Sequence, residues 1–273
     1  MSDGLTYLDR ILAAHRETAA ADTRLLADLV TEAEAQPPTR GFTAALRVAG
    51  GQGQGQGLGV IAEVKRRSPS KGDLHATLDP AAMARAYERG GATCLSVLTD
   101  REFFGGSPDD LRAARAATTL PVLRKDFTVA PADVCDARIM GADAVLLIVA
   151  ALDDDELRDL HDLATRLGLD VLVEVHDEPE LGRALAAGAT LVGVNQRDLV
   201  TFDVDTTRAL RVGAAMPREI VRVAESGIRD AGDAAMLAAA GFDAVLVGES
   251  LVTSDDPATA VAALRRAHGP DHA

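Results

Sequence analysis

Short apolar runs alternate with longer amphipathic stretches along most of the chain. The runs begin near Val60, Cys94, Pro121, Ala144, Asp170, Leu191, Glu219 and Asp243, and each is rich in Val, Leu and Ile. This composition is typical of strands that are buried on both faces. Between the runs lie Ala-rich segments with helical spacing of apolar residues, such as residues 80–89, 131–140, 153–167 and 231–240. The pattern predicts eight successive β-α units.

The spacing of these units indicates the fold class. Gly-Ala or Gly-Phe pairs precede four of the strands, at 91–92, 141–142, 188–189 and 241–242, as expected for glycines that end helices. Eight units within about 210 residues favour an α/β fold with one closed (β/α)8 TIM barrel. The alternative is an open doubly wound sheet. Such a sheet would carry a glycine-rich motif after its first strand, and the segment VIAEVKRRSPS, which contains the first strand and the loop after it, has no such motif.

Two segments precede the barrel. Residues 1–49 are predicted to form an N-terminal helical extension, in which Tyr7, Leu8, Ile11 and Leu12 fall at helical spacing and residues 37–38 (Pro-Pro) end the first helical pattern. Residues 50–59 are rich in Gly and Gln and are predicted to be a flexible insertion, since they precede a strand and do not fit a phosphate-binding GxGxxG motif. The catalytic barrel is then expected over residues 60–270.

Composition and charge mainly exclude two classes of partner, nucleic acids and membranes. The 273 residues carry a formal net charge of −14, whereas a nucleic-acid binder needs a basic patch. No apolar run reaches the roughly 18 residues that span a bilayer, and the polar N-terminus lacks a signal-peptide core. Cys94 and Cys135 sit in apolar segments without a CxxC motif, which is typical of buried free thiols. We therefore expect a cytoplasmic protein without nucleic-acid or membrane partners.

Lysine is unusually rare in this chain. The 28 basic residues comprise 25 Arg and 3 Lys, namely Lys65, Lys71 and Lys125. An ammonium is a compact donor whose pKa moves readily on burial, whereas a guanidinium is a planar fork that stays charged. The three lysines are therefore candidates for positions at which arginine could not replace lysine. Chance alone explains the count equally well.

Polar residues at the predicted strand ends favour the functional explanation. In a (β/α)8 barrel the carboxyl ends of the strands carry the active site. Those ends supply Glu63 and Lys65, Lys125 and Phe127, Glu174 and His176, Asn195, and Glu225. Internal Lys–Glu pairs that merely satisfy one another are the structural alternative. Burying charges in strands is costly, so we favour a site in which these groups meet a substrate.

Glycines after the last two strands indicate a phosphate site. Ser226 and Gly227 follow the seventh strand, and Gly248 and Glu249 follow the eighth. The loops after strands 7 and 8 often bind phosphate in barrels of this class, although tight turns also require glycine. The histidines show no metal-ligand spacing, and His176 is expected to orient or pack. No Ser-His-Asp order is evident. The remaining candidate for catalysis is therefore proton transfer or Schiff-base chemistry by Lys and Glu.

The chain resembles the indole-3-glycerol phosphate synthase family. The matching segments are IAEVKRRSPSKGDL at 61–74, LSVLTDREFFGGSPDDL at 95–111, PVLRKDF at 121–127, VLVEVH at 171–176, VGVNQRDLVTFDVD at 192–205, VAESGI at 223–228 and VLVGESLV at 245–252. The resemblance implies a lyase of tryptophan biosynthesis. Such an enzyme closes the ring of 1-(2-carboxyphenylamino)-1-deoxyribulose 5-phosphate to indole-3-glycerol phosphate, with loss of carbon dioxide and water.

The resemblance also implies residue roles. Lys125 would be the general acid, Lys65 would hold the anthranilate carboxylate, and Glu174 would act in dehydration. Glu63 and Asn195 would bind the reacting groups, and Glu225 would orient the lysines and the substrate. The remaining implied substrate-binding and phosphate-binding residues are Ser68, Phe127, Leu147, Arg197, Ser226, Gly227, Gly248 and Glu249. No cofactor or metal is implied, the monomer is favoured, and nearby cations are expected to lower the pKa of Lys125.

Two other functions remain as alternatives. Phosphoribosylanthranilate isomerase is also a phosphate-binding barrel enzyme, but it would want a Cys/Asp acid-base pair at strand ends, and Cys94 begins its strand. A binder of phosphorylated ligands without turnover would retain affinity and form no product.

Overall fold

Eight parallel strands close into a barrel. The computed structural model describes residues 6–50, 57–68, 71–198 and 200–266. Its barrel strands are β1 (Gly59–Val64), β2 (Cys94–Leu98), β3 (Val122–Lys125), β4 (Ala144–Ile148), β5 (Asp170–Val175), β6 (Leu191–Asn195), β7 (Val221–Glu225) and β8 (Ala244–Val247). Each strand pairs with its neighbours in the sequence, and β8 pairs with β1 to close the ring. The predicted barrel is confirmed, and the open-sheet alternative is wrong.

Helices surround the barrel. They are α1 (Tyr7–Ala20), α2 (Leu26–Glu34), α3 (Phe42–Ala49), α4 (Pro80–Gly90), α5 (Pro108–Ala117), α6 (Pro131–Ile139), α7 (Asp154–Arg166), α8 (Glu178–Ala186), α9 (Arg208–Ala215), α10 (Ala231–Ala239), α11 (Glu249–Val252) and α12 (Pro257–Arg265). A 3-10 turn spans Val149–Ala151, and Arg67–Ser68 pairs with Gly72–Asp73 in a short hairpin.

Aspartate begins many of these helices. The side chains of Asp79, Asp153, Asp177, Asp230 and Asp256 each accept a backbone N–H in the first turn of the helix that follows. A short carboxylate at this position satisfies donors that have no partner within the helix. The chain contains 29 Asp and 13 Glu, and capping accounts for part of this preference.

Glycine ends four helices before the next strand, as predicted. Gly91, Gly141, Gly188 and Gly241 have φ of +86°, +94°, +89° and +85°. Only glycine enters this left-handed region without a steric penalty, so the helix stops there and the chain turns into the barrel.

The N-terminal helices contact the barrel at both ends. The His15 ring, on α1, lies 2.9 Å from Asp100 at the carboxyl end of β2. Arg24 precedes α2 and pairs with Asp136 on α6 at 2.8 Å. Residues 51–56, which make up most of the predicted Gly/Gln insertion, lie outside the described residues, so the predicted boundaries of these segments stay a prediction.

Helix α3 covers the amino ends of the strands. Phe42 and Leu46 on this helix are fully buried. The N–H of Arg40 donates to Asp143 at 2.8 Å, and that of Thr43 donates to Asp170 at 3.0 Å. Asp143 is itself fully buried and also accepts the N–H of Val122. The bottom of the barrel is therefore closed by apolar packing and by hydrogen bonds to aspartates at strand starts.

Truncating Phe42 tests this closure. We expect Phe42→Ala to lower the free energy of unfolding by about 3–5 kcal/mol, because it leaves a cavity under the barrel. Val48→Ala, on the same helix but at a position that is 84% exposed, should change it by less than about 0.5 kcal/mol. Urea titration followed by circular dichroism measures both, and equal unfolding midpoints would contradict the role assigned to α3.

Candidate active site

A cavity of about 640 Å³ opens at the carboxyl ends of the strands. Every residue that the sequence nominated as catalytic or binding, Leu147 excepted, lines it, namely Glu63, Lys65, Ser68, Lys125, Phe127, Glu174, Asn195, Arg197, Glu225, Ser226, Gly227, Gly248 and Glu249. Volumes of this size accommodate metabolite-sized ligands. The structure thus brings the predicted residues together, while their individual roles stay predictions.

Strand alternation directs these side chains inward. Glu63 and Lys65 are two residues apart, as are Lys125 and Phe127, and all four line the cavity. Arg124, one residue out of phase with Lys125, instead donates to the carbonyl oxygen of Asp133 on α6 at 2.7 Å. Arg124 therefore faces the surrounding helices, whereas Lys125 faces the cavity.

Lys125 lies at the centre of a charged cluster. Its Nζ is 3.4 Å from Glu174 Oε2 and 3.8 Å from Glu225 Oε2. Asn195 Nδ2 donates to the other oxygen of Glu174 at 2.9 Å. Glu174 and Glu225 are buried, so any negative charge on either carboxyl group interacts strongly with the ammonium. An acid donor and two carboxylates thus converge on one point of the cavity.

A second lysine–glutamate pair adjoins this cluster. Lys65 Nζ lies 2.5 Å from Glu63 Oε1. Gly248, at the end of β8, faces this pair so closely that a Cβ there would collide with the Glu63 carboxylate. Gly248 is therefore required for the close approach of this pair.

The pKa of Lys125 is raised, contrary to the sequence-based expectation. Burial lowers it, but the negative charges of Glu174, Glu225 and Glu63 outweigh burial and raise the pKa above the ordinary lysine value. The expectation of a lowered pKa was wrong because carboxylates, rather than cations, are the nearest neighbours. Lys125 is consequently protonated across the neutral range and available as a proton donor.

Glu225 carries the opposite perturbation. Burial and the charge of Glu174 raise its pKa from 4.5 to about 8, against the lowering effect of Lys125. The lysine and the hydrogen bond from Asn195 hold the pKa of Glu174 below its ordinary value despite complete burial. Two carboxyl groups of one site are thus pushed apart in pKa, a pattern that favours distinct acid and base roles.

The apolar wall differs in part from the expectation. Leu147 was expected to line the ring site, but it is fully buried and absent from the cavity lining, whereas Leu146 and Ile148 line it. The alternation of β4 points Leu147 toward the helices, because Leu146 and Ile148 on either side of it face the interior of the barrel. Phe104 and Phe202, on loops that follow β2 and β6, also line the cavity and were missed. Because aromatic residues are rare in this chain, their rarity could have indicated both phenylalanines as candidates for the cavity wall.

The loops after β7 and β8 form the remaining wall. Ser226 and Gly227 have φ of +65° and +73°, and the Gln196 side chain donates to the Ser226 carbonyl oxygen at 2.7 Å. Lys71, which the sequence left unassigned, lies 3.1 Å from Glu249 across this wall. A strained serine held by a buried amide fixes the backbone at this point of the mouth.

One group of side chains has metal-like spacing. His15, Asp100 and Asp126 each offer a ligand atom within 4.8 Å of the others. Asp126 Oδ2, however, accepts Arg124 Nη2 at 2.9 Å, and Asp100 Oδ1 accepts the N–H of Phe103 at 2.6 Å. Hydrogen bonds and an arginine already engage both carboxylates, so this group fits the attachment of α1 to the barrel better than a metal centre.

The two cysteines have the environment that the sequence predicts. Cys94 and Cys135 are buried and free. Within the described residues, no helix combines the length and apolar character needed to cross a bilayer.

Comparisons with known proteins agree with this geometry. Residues 8–264 match the family model for indole-3-glycerol phosphate synthase. The chain is 51% identical over 261 residues to the indole-3-glycerol phosphate synthase of Mycobacterium avium, covering 95% of this chain and 93% of that one. It is 50% identical, with the same coverage, to that of Mycolicibacterium smegmatis. Thiamine phosphate pyrophosphorylase from Pyrococcus furiosus has a similar fold, with a TM-score of 0.60, 17% identity, and coverage of 77% of this chain and 95% of that one.

Gly193 tests the packing behind the charged cluster. A Cβ at this position on β6 would overlap the Glu225 carboxylate. We expect Gly193→Ala to lower the free energy of unfolding by about 1–3 kcal/mol, because the carboxylate must move. Gly182→Ala on α8, where nothing lies within 4 Å of the new methyl group, should leave it equal or raise it. Thermal unfolding compares the two variants, and equal melting temperatures would contradict the close approach.

Glu225 predicts a pH dependence of stability. Below pH 4.5 the carboxyl group is protonated in both states, whereas between pH 4.5 and about 8 only the folded state keeps the proton. Wild-type stability therefore loses a contribution as pH rises through this interval. Glu225→Gln removes the effect, so its stability relative to wild type should increase from pH 5 to pH 8. Urea midpoints measure this, with Glu219→Gln at an exposed site as the control. A pH-independent difference would refute the raised pKa.

Proposed function

The chain belongs to the indole-3-glycerol phosphate synthase family, and we propose that its charged cluster carries out that family's ring closure with Lys125 as the general acid. The enzyme is a carboxy-lyase of tryptophan biosynthesis. Its substrate is 1-(2-carboxyphenylamino)-1-deoxyribulose 5-phosphate. The observation that carries the assignment of roles is the position of the Lys125 ammonium between the carboxylates of Glu174 and Glu225.

The first step is carbon–carbon bond formation. The ring carbon that bears the carboxylate attacks the ketone carbon, and the ketone oxygen gains negative charge. Lys125 donates a proton to this oxygen and so produces a hydroxyl group. A raised pKa suits this task, because the ammonium is fully charged before reaction and the developing alkoxide is far more basic than an amine.

The second step is decarboxylation. Loss of carbon dioxide returns the bonding electrons to the ring and restores its aromaticity. Lys65, paired with Glu63 on the floor of the cavity, holds the substrate carboxylate until this step. The ion pair fixes the ammonium in place, which lowers the entropic cost of orienting the substrate.

The third step is dehydration. The hydroxyl group leaves as water after protonation, and a base removes a proton to complete the indole double bond. Glu174 is the base, because it is buried, ionised and 3.4 Å from Lys125 Nζ, and Lys125, once it has regained a proton from solvent, is the acid that protonates the leaving hydroxyl group. Asn195 holds its carboxylate with a 2.9 Å hydrogen bond and contacts the ring-nitrogen region of the substrate. Glu225 orients Lys125 from the opposite side.

The phosphate group binds between the last two loops. Ser226, Gly227, Gly248 and Glu249 face this part of the cavity, and backbone N–H groups are the donors. Ser68 and Arg197 also line the cavity, on the loops that follow β1 and β6. Phe127 and Phe104, with ring centroids 6.4 Å apart, enclose the anthranilate ring. The same chain supplies all of these walls, so we propose that the monomer is active. We also propose that the enzyme is cytoplasmic.

The isomerase alternative has no support in the geometry. Cys94 is the first residue of β2, and its Sγ lies 3.8 Å from the Phe42 carbonyl oxygen at the closed end of the barrel. A thiol at that end does not reach the cavity. No specific observation favours a binder without turnover.

Substitution of Lys125 tests the assignment. We expect Lys125→Met to lower kcat by about 100-fold or more, because general acid catalysis contributes roughly that much. Product formation is followed by indole fluorescence, against a protein background that is low because the chain has no Trp. Arg112→Met, at an exposed position on α5, is the matched loss of one positive charge and should leave kcat unchanged.

Lys125→Arg is the more stringent variant. A guanidinium keeps the charge but is a far weaker acid, so it should lose most of the activity as well. Near-wild-type activity in this variant, with an unshifted pH–rate profile, would overturn the role of Lys125. The absence of any product from folded wild-type protein at neutral pH would overturn the proposed reaction itself.

A further inference from the structure

His176 lies behind the acid-base glutamate without lining the cavity. It is two residues beyond Glu174 at the end of β5, and its side chain is 13% exposed. Its Nδ1 is 3.0 Å from Glu180 Oε2 on α8, and the same oxygen accepts the backbone N–H of His176 at 2.7 Å. An ionised carboxylate only accepts hydrogen bonds, so the Nδ1 atom carries a proton.

The other ring nitrogen faces Glu174. His176 Nε2 lies 3.7 Å from Glu174 Oε1, and it is buried without a hydrogen-bond partner among the described residues. A neutral ring with its proton on Nδ1 would point a lone pair at a buried carboxylate, which is unfavourable. A proton on Nε2 removes this conflict and places an imidazolium between two carboxylates.

The surrounding charges favour the imidazolium. Burial alone lowers the pKa of His176, but Glu180 and Glu174 raise it above the ordinary histidine value, against the opposing charge of Arg208 on α9. Asp198, on the loop after β6, is a further negative charge that interacts with this histidine. Four charged groups on three elements and a loop therefore face the ring, and three of them are negative.

We propose that His176 is a positioning residue, whose Nε2 proton orients the Glu174 carboxylate and keeps it ionised for the dehydration step. The inference rests on the proposed role of Glu174. Together with Asn195 and Lys125, the histidine surrounds this carboxylate with three positively polarised donors. Glu180 acts through the ring by fixing its tautomer, as carboxylates do for histidines in many sites.

Two variants separate charge from packing. His176→Asn removes the imidazolium, so Glu174 should titrate at higher pH and kcat should fall about three- to tenfold on the acid side of the pH profile. Its KM should change little, because His176 does not line the cavity. Glu180→Gln keeps an oxygen for the His176 N–H but removes the anion that favours the charged ring. His176 should then lose its proton at lower pH, so the alkaline limb of the kcat profile should move to lower pH while the acid limb stays. His161→Asn, a partly buried histidine on α7, is the control and should move neither limb.

A readout independent of activity follows the ring itself. Nitrogen-15 NMR of the wild-type histidine should show both ring nitrogens protonated at pH 6, with a titration midpoint above about 6.5. The midpoint should fall in Glu180→Gln. An unprotonated Nε2 at pH 6, or variants that lower kcat uniformly without moving either limb, would refute the positioning role. This arm stands even if His176→Asn does not fold.

Failure of the underlying function is distinguishable. If Glu174→Gln retains full activity, the dehydration role of Glu174 is wrong and the positioning role falls with it. If Glu174→Gln loses activity while the His176 variant keeps both limbs in place, only the positioning role fails.

Discussion

Compensation of buried charge is the constraint on which this site depends. Three carboxylates, from Glu63, Glu174 and Glu225, converge with the two ammonium groups of Lys65 and Lys125. Unpaired charges are costly in such surroundings, and the set has one anion too many. Glu225 relieves the excess by keeping its proton up to a pKa of about 8. The same excess keeps Lys125 charged, so charge balance within the cluster and the proposed supply of a proton by Lys125 have one cause.

The cluster determines features of the surrounding sequence. Gly193 and Gly248 are small because the carboxylates of Glu225 and Glu63 occupy the space that a Cβ would need. His176 and Glu180 form a further layer behind Glu174. Catalytic groups are precise only when packing and hydrogen bonds hold them. Residues outside the cavity therefore belong to the same electrostatic arrangement as those that line it.

The N-terminal helices support this arrangement from both ends of the barrel. Helix α3 closes the amino ends with Phe42 and Leu46, while His15 on α1 reaches Asp100 beside the cavity. Asp126, next to Lys125, the proposed general acid, accepts hydrogen bonds from Arg124 on β3 and from Thr99 directly after β2. The strand ends are thereby fixed on the side where the candidate active site lies.

The sequence alone determined the barrel, because strands buried on both faces and glycine-terminated helices leave their pattern in local composition. It also predicted that Lys125, Glu174 and the other strand-end residues meet in one cavity, from period-two alternation and from the rule that carboxyl ends meet at one mouth. Tertiary structure alone decided the electrostatics. The direction of the Lys125 pKa shift depends on carboxylates from strands far apart in the chain, so the sequence-based expectation failed. The same holds for Leu147, whose orientation is set by where β4 begins, and for His176, whose neighbours come from three separate elements.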